Sequence, residues 1–337
     1  MKIDGPLVTQ RLADVPAAAR RMEADGYDGV FTFEGPHDPF LPLMLAAEHS
    51  ERLELTTAIA VAFARSPMTI AATANDLQAV SNGRFVLGLG TQIKPHIEKR
   101  FSMPWSHPAP RMRELVLAVR AIWATWNERV PLDFRGEFYR HTLMTPFFDP
   151  GPNPNGPPRI ALAGVGPLMT EVAGEVGDAF IVHPFSTAHY LQTTTIPALE
   201  RGLAAAGRAR ADFEISFPVM IITGDTTEEL DTARFAVMAQ LAFYGSTPAY
   251  RPVLDAAGWG DLQPELQQRT RSGEWAAMAA LIPDELVDQF TVSGRPEEIA
   301  ERVTERYGGL VDRVAFNAPY PAPPELWARA LCGFRET

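Results

Sequence analysis

The chain has 337 residues, 46% hydrophobic and 21% charged, with 30 Lys and Arg against 41 Asp and Glu for a formal net charge of −11. That balance excludes a disordered or low-complexity chain and argues against a nucleic-acid-binding surface, whose phosphate contacts demand clustered cations. A single cysteine, Cys332, excludes a disulfide framework and a cysteine-based metal cluster within one chain, which leaves small molecules as the expected partners.

Residues 2–7 read as a short strand. Asp14 then stands as an N-cap before Val15-Pro16, and Gly26 follows the last turn, so a helix spans 15–25. Residues 28–33 form a second strand, 42–51 a helix and 53–63 a third strand. A helix over 67–80 ends at the turn Ser81-Asn82-Gly83, and a fourth strand covers 84–90. This alternation predicts parallel strands covered by helices. The prolines 146, 150, 152, 154, 157 and 158 make the following run an irregular connector. Strands then resume at 159–163, 178–183 and 213–223, with helices at 167–176, 188–206 and 226–244. Thr226 and Glu229 form a capping-box pair at the start of the last of these. A helix over 296–307, closed by Gly308-Gly309, precedes an eighth strand at 311–316.

Eight strands paired with helices predict an α/β fold, a (β/α)8 TIM barrel. The roughly 90 residues beyond a typical barrel's ~250 fall in insertions at about 91–110, 131–158 and 245–293. One elaborated domain over 1–337 is expected, with insertions after strands four and seven and a Pro-rich connector before strand five. No apolar stretch approaches the roughly 18 residues of a membrane span. Met1-Lys2-Ile3-Asp4-Gly5 does not open a secretory leader, so a cytoplasmic protein without membrane contact is expected.

Barrels place chemistry on the loops that follow each strand. That rule selects Glu34, His37 and Asp38 after strand two and Arg65 after strand three. It also selects Gly88, Gly90, Thr91, Gln92, Lys94 and His96 around the end of strand four. Gly164 and Gly166 follow strand five, His183 strand six, and Asn317 and Tyr320 strand eight. Gly88-Leu89-Gly90 and Gly164-Val165-Gly166 each fit either close backbone approach to a ligand or simple tight packing. Neither completes G-x-G-x-x-G, because Ile93 and Met169 occupy the third positions. The second pair precedes Pro167 at a helix start, where backbone amides can hold a phosphate. Glu34 and His37 suit acid–base work or a salt-bridged loop equally. No histidine spacing supports a catalytic zinc, and no Gly-x-Ser-x-Gly elbow offers a nucleophile.

The run Asp76-Leu77-Gln78-Ala79-Val80-Ser81-Asn82-Gly83-Arg84-Phe85-Val86-Leu87-Gly88-Leu89-Gly90 resembles the hallmark of the bacterial luciferase-like monooxygenase superfamily. There the third helix ends in a Ser-x-Gly-Arg turn before a fourth strand that finishes Gly-x-Gly. Arg65-Ser66-Pro67 resembles the superfamily's Arg-His-Pro, with Ser66 in place of histidine. Gly294-Arg295-Pro296-Glu297-Glu298-Ile299 resembles its C-terminal Gly-x-Pro-Glu-x-(Val/Ile). Residues 33–43, 60–68 and 88–105 are similar to the branch that uses the deazaflavin coenzyme F420.

The resemblance implies an oxidoreductase that transfers a hydride between reduced F420 and a small organic substrate. The alternatives are an FMN-dependent monooxygenase using O2 and a separate reductase, and a non-catalytic F420-binding barrel. It further implies a non-proline cis peptide in strand three, which the register counted back from Pro67 puts at Ala58-Ile59. Glu34 falls where deazaflavin-dependent relatives carry an aspartate near the ring, with Gly35 replacing the usual following histidine. Glu34 and His37 are therefore the acid–base candidates. Gly164, Val165, Gly166, Pro167 and Leu168 would cradle the cofactor phosphate, with Gly88, Gly90, Thr91 and Gln92 around its ring or tail. Trp105 and His183 would line the substrate pocket. Residues 245–293, with Phe243, Tyr244, Tyr250 and Trp259, would form its lid or a packed appendage. A homodimer is expected.

Overall fold

In a computed structural model, which describes residues 1–334, eight parallel strands close on themselves. They are β1 (Lys2–Pro6), β2 (Gly29–Thr32), β3 (Glu54–Thr57), β4 (Phe85–Gly90), β5 (Arg159–Gly164), β6 (Ala179–Val182), β7 (Glu214–Thr223) and β8 (Arg313–Asn317). Each pairs with its neighbours in sequence, and β8 closes the ring by pairing with both β7 and β1. Asp4 is opposite Gly29, which is in turn opposite Glu54, so the register sets the first turns of β1 to β3 side by side. This is the expected (β/α)8 barrel.

The covering helices are α1 (Val15–Asp25), α2 (Phe40–Glu48), α3 (Pro67–Val80), α4 (Pro108–Glu128), α5 (Pro167–Val176), α6 (Ile196–Ala205), α7 (Thr227–Gly245), α8 (Pro296–Tyr307) and α9 (Pro324–Cys332). Many of the chain's prolines sit in their first turns, where a missing N–H costs nothing because that donor has no intrahelical acceptor. Gly26 ends α1 in the left-handed conformation at φ 87°. Thr226 and Glu229 form the expected capping box on α7.

Strand composition decides which face packs. In β5, Ile160 and Leu162 are fully buried in the core, together with Leu55, Leu87 and Leu89 of the neighbouring strands. The alternate residues Ala161 and Ala163 turn inward and are small. The Ser-Asn-Gly-Arg hallmark has a mechanical reason. Asn82 and Gly83 turn the chain at positive φ. Arg84 then donates to the carbonyls of Ala47, Ser50 and Leu53, tying the end of α2 to the start of β4.

Four expectations need correction. Residues 53–63 are not one strand: β3 stops at Thr57, the Ala58–Ile59 peptide is cis, and Ala60–Val61 pairs separately with β4 before a turn at Ala62–Ala64. The helix over 188–206 contains a wider turn at Leu191–Thr195. Helix α2 begins at Phe40, where the Asp38 carboxylate accepts from the Phe40 amide, earlier than its proline suggested. In the stretch 245–293, whose sequence predicts short helices around 248–257 and 274–281, helical segments Pro248–Tyr250, Arg251–Ala256 and Trp275–Ala279 are joined by two more, Leu262–Ser272 and Asp284–Phe290. A further strand, Thr291–Gly294, pairs with the far end of β7. Polar periodicity hid helix Leu262–Ser272, and the strand is too short to announce itself. No helix among the described residues is long and apolar enough to cross a membrane.

Candidate active site

The floor of the barrel is charged. Arg313 on β8 forms a two-pronged ion pair with Asp4 on β1, at 2.6 and 2.7 Å. Its remaining nitrogen lies 2.9 Å from Glu54 and 3.5 Å from Glu214. Arg159 contacts both glutamates from β5. Burial pushes the carboxyls of Asp4 and Glu54 above their usual range, against the pull of Arg313.

Above this floor many of the inward positions are small (Thr56, Ala161, Ala163, Ala179, Ser216 and Ala315), set among larger apolar residues such as Phe31, Val86 and Ile181. A barrel interior is ordinarily filled by branched side chains. Here a cavity of about 650 Å³ runs from Asp4, Glu54, Glu214 and Arg313 to the loops beyond the strands.

The Ala58–Ile59 segment forms part of the cavity wall. Four hydrogen bonds hold it and its neighbours in place. The Glu34 amide donates to the Ile59 carbonyl at 3.1 Å, and the Ala58 amide to Thr32 at 2.6 Å. The Glu34 carboxylate accepts from the Val61 amide at 2.7 Å and from Arg65 at 2.6 Å. On the facing strand, a Cβ on Gly90 would stand 2.9 Å from Ile59 Cγ1. Gly88 answers to a different neighbour, because its Cβ would overlap the Thr57 carbonyl. The Thr57 hydroxyl donates to the Gly88 carbonyl at 2.8 Å and accepts from the Gly88 amide at 2.9 Å.

Beyond β4, Gln92 adopts φ 60° and its own side-chain oxygen accepts from the Ile93 amide, which fixes the loop. Trp105 meets Phe63 edge-on at 5.7 Å, and Arg111 lies over the other ring at 4.7 Å. After β5, Gly164 is required by Met169, whose Cγ would be 2.6 Å from an added Cβ. Gly166 faces open space and caps α5 without any side-chain bond. The first-turn amides of α5 have no intrahelical acceptors, and this helix end opens on the cavity through Gly164, Val165 and Gly166. An anionic group with an attached flat, apolar ring fits these features: a helix start for the charge and an apolar wall for the ring.

His183, at the end of β6, is enclosed. Its Nδ1 accepts from the Phe185 amide at 3.0 Å, and its Nε2 lies 3.2 Å from the Tyr250 hydroxyl. Tyr244 and Tyr250 pack on the imidazole at 4.9 and 4.6 Å. Burial pushes its pKa down to about 4 and that of Tyr250 up to about 12.

The structure therefore brings twelve residues singled out in the sequence onto one cavity: Ala58, Ile59, Gly90, Thr91, Gln92, Lys94, Trp105, Gly164, Val165, Gly166, His183 and Tyr250. Gly88, Pro167, Leu168, Glu34 and His37 are not on its lining. Gly88 is held by strand packing, and the Leu168 side chain points to solvent at 70% exposure. Glu34 is spent on Arg65 and the Val61 amide. His37 Nε2 lies 3.2 Å from the Gln10 carbonyl on the outer loop. The charged floor was missed. Its signal was available, since Asp4, Glu54, Glu214 and Arg313 are charges set at the beginnings of otherwise apolar strands.

Comparison with known proteins agrees with this geometry. The luciferase-like monooxygenase family matches residues 2–313. The uncharacterized protein Rv1360 of Mycobacterium tuberculosis is 54% identical over 314 residues, 93% of this chain and 92% of that protein. The 5,10-methylenetetrahydromethanopterin reductase of Archaeoglobus fulgidus is 26% identical over 82% of this chain and 80% of its own. Among solved structures, the coenzyme F420-dependent tetrahydromethanopterin reductase of Methanopyrus kandleri superposes with a TM-score of 0.80 at 18% identity, covering 99% of this chain and 96% of its own. A type II Baeyer-Villiger monooxygenase from Pseudomonas putida, in complex with FMN, shares the fold with a TM-score of 0.67 at 18% identity, covering 98% and 95%. The chain belongs to the luciferase-like monooxygenase family and is an oxidoreductase.

Proposed function

We propose that this oxidoreductase uses coenzyme F420 and passes a hydride between the reduced deazaflavin and a small organic substrate held in the barrel cavity. One observation carries the reading. The uncapped start of α5 and the Ala58–Ile59 segment face the same cavity, which offers amides for a phosphate and an apolar wall for a ring. Relatives named as F420-dependent enzymes support the choice of coenzyme. When bound, a deazaflavin supplies a hydride-carrying carbon where a flavin has nitrogen, and the protein supplies position.

The chain's own residues divide that work. Gly164, Val165 and Gly166 would let the backbone approach a phosphate, and the amides of the uncapped first turn of α5 would hold it. Pro167 contributes only its fixed φ, since it has no N–H. Ile59 and Gly90 shape the ring's bed, with Thr91 and Gln92 at its edge. Trp105 and His183 line the cavity that would receive the substrate. Glu34 serves the site by holding the Ala58–Val61 segment rather than by moving a proton.

Titration of the purified protein with F420 tests this directly: coenzyme fluorescence should be quenched with low-micromolar or tighter affinity. Preference for FMN under the same conditions would overturn the coenzyme assignment. The second reading, an FMN-dependent monooxygenase, is favoured by the FMN-containing neighbours of this fold. It predicts oxygen consumption during turnover with a supplied reductase, which the F420 reading does not.

A further inference from the structure

The hydrogen bonds around His183 have a direction, and it ends on a residue of the 245–293 insertion. An amide N–H can only donate, so His183 Nδ1, 3.0 Å from the Phe185 amide, must be the acceptor. In a neutral imidazole the proton is then on Nε2. That nitrogen lies 3.2 Å from the Tyr250 hydroxyl, so the hydroxyl oxygen accepts and its own hydrogen is free to point elsewhere. No other hydrogen-bond partner of this hydroxyl occurs among the described residues, and both Tyr250 and His183 line the cavity.

We propose that Tyr250 is the substrate-orienting hydrogen-bond donor of the cavity, with its direction set by His183, and that it selects compounds carrying an acceptor oxygen such as a ketone or aldehyde carbonyl. Val165, Pro184 and Ala249, on the same lining, carry no donor side chain. A carbonyl placed there gains a bond, whereas an isosteric hydrocarbon leaves the hydroxyl hydrogen without an acceptor.

The position of the hydroxyl is built in. The turn Pro248–Tyr250 is closed by the Tyr250 amide donating to Thr247 at 2.9 Å. The ring is clamped between His183 at 4.6 Å and Phe185 at 5.9 Å. Burial keeps both partners in the required forms at neutral pH, with the imidazole uncharged and the phenol protonated. His183 is then a positioning residue, and Tyr250 is the one that touches substrate.

The proposal deepens the oxidoreductase reading and rests on the cavity being its substrate site, but it is tested without coenzyme. In protein labelled with 15N-histidine, His183 should show a protonated Nε2 and an unprotonated Nδ1 at pH 7. The opposite tautomer would overturn the proposal. Cyclohexanone and methylenecyclohexane, alike in shape, are then titrated by ligand-observed NMR into the wild type and Tyr250→Phe. The ratio of ketone to alkene affinity should fall about fivefold or more in the variant, the worth of one ordinary hydrogen bond. An unchanged ratio, with the variant's melting temperature unaltered, would contradict it, as would a wild type whose ratio already equals that of the variant. Loss of F420 binding by the wild type would sink the coenzyme reading while leaving these two readouts unaffected.

Discussion

Gly90 at the end of β4 and Ile59 in the break after β3 lie so close that a side chain on the first would collide with the second: an added Cβ would be 2.9 Å from Cγ1 and 3.0 Å from Cδ1. The final glycine of the Gly-Leu-Gly strand is therefore specified by the wall of the cavity opposite it. Gly90→Ala should cost about 1–3 kcal/mol in urea denaturation, the usual range for overpacking. In an Ile59→Ala background that cost should shrink by half or more. Additive effects in this double-mutant cycle would show that the two residues do not meet.

Glu34 and Arg65 separate a structural from a catalytic carboxylate. The Glu34 side chain is only 7% exposed, and its paired oxygen serves both Arg65 and the Val61 amide. Arg65→Ala leaves that carboxylate without its counter-charge and should destabilise by about 2–3 kcal/mol. Glu34→Gln keeps an acceptor for the Val61 amide and should cost less, about 1 kcal/mol, with weakened coenzyme binding. If Glu34→Gln instead left binding and stability intact but abolished turnover, the carboxylate would be the proton donor after all.

The buried imidazole of His183 makes stability depend on pH in a predictable direction. Its folded pKa of about 4 lies below the ordinary value of 6.5, so the unfolded chain binds the proton first. Its contribution is present above pH 6.5 and is lost as pH falls towards 4, by an amount of order 3 kcal/mol. Asp4 and Glu54, whose carboxyls are raised by burial, act with the opposite sign. The difference between wild type and His183→Gln therefore isolates the histidine. Denaturation curves at pH 7.5 and 5 should converge for the pair as pH falls, and a constant gap would contradict the burial.

The barrel floor depends on one cation more than any other. Arg313→Met would leave Asp4, Glu54 and Glu214 facing one another, with Arg159 beside the two glutamates. A loss of about 3–5 kcal/mol is expected at pH 8, falling at pH 5 as the carboxyls protonate. A loss below about 1 kcal/mol, typical of a solvent-exposed pair, would mean that water reaches the floor freely.

The barrel was legible because its signals are local. Strand–helix alternation, prolines in first turns, the Thr226/Glu229 cap and the Ser81-Asn82-Gly83 turn each act within a few residues. The cis peptide at Ala58–Ile59 could be placed because the register from Pro67 is short and the resemblance supplied the feature. Contacts between distant segments were not legible. Gly88 and Gly90 look alike in sequence, yet one answers to Thr57 and the other to Ile59. Glu34 and His37 share a loop, but only the bond to Arg65, 31 residues away, reveals what the glutamate does. Tyr250 was legible as a lid aromatic, but its bond to His183, 67 residues away, was not.

A crystal structure of the protein soaked with F420 tests the central claim most directly. It should show the deazaflavin ring against Ala58–Ile59, facing Gly90, with the phosphate at Gly164–Gly166 and the first turn of α5. Coenzyme bound elsewhere, or a phosphate away from that helix start, would contradict the account.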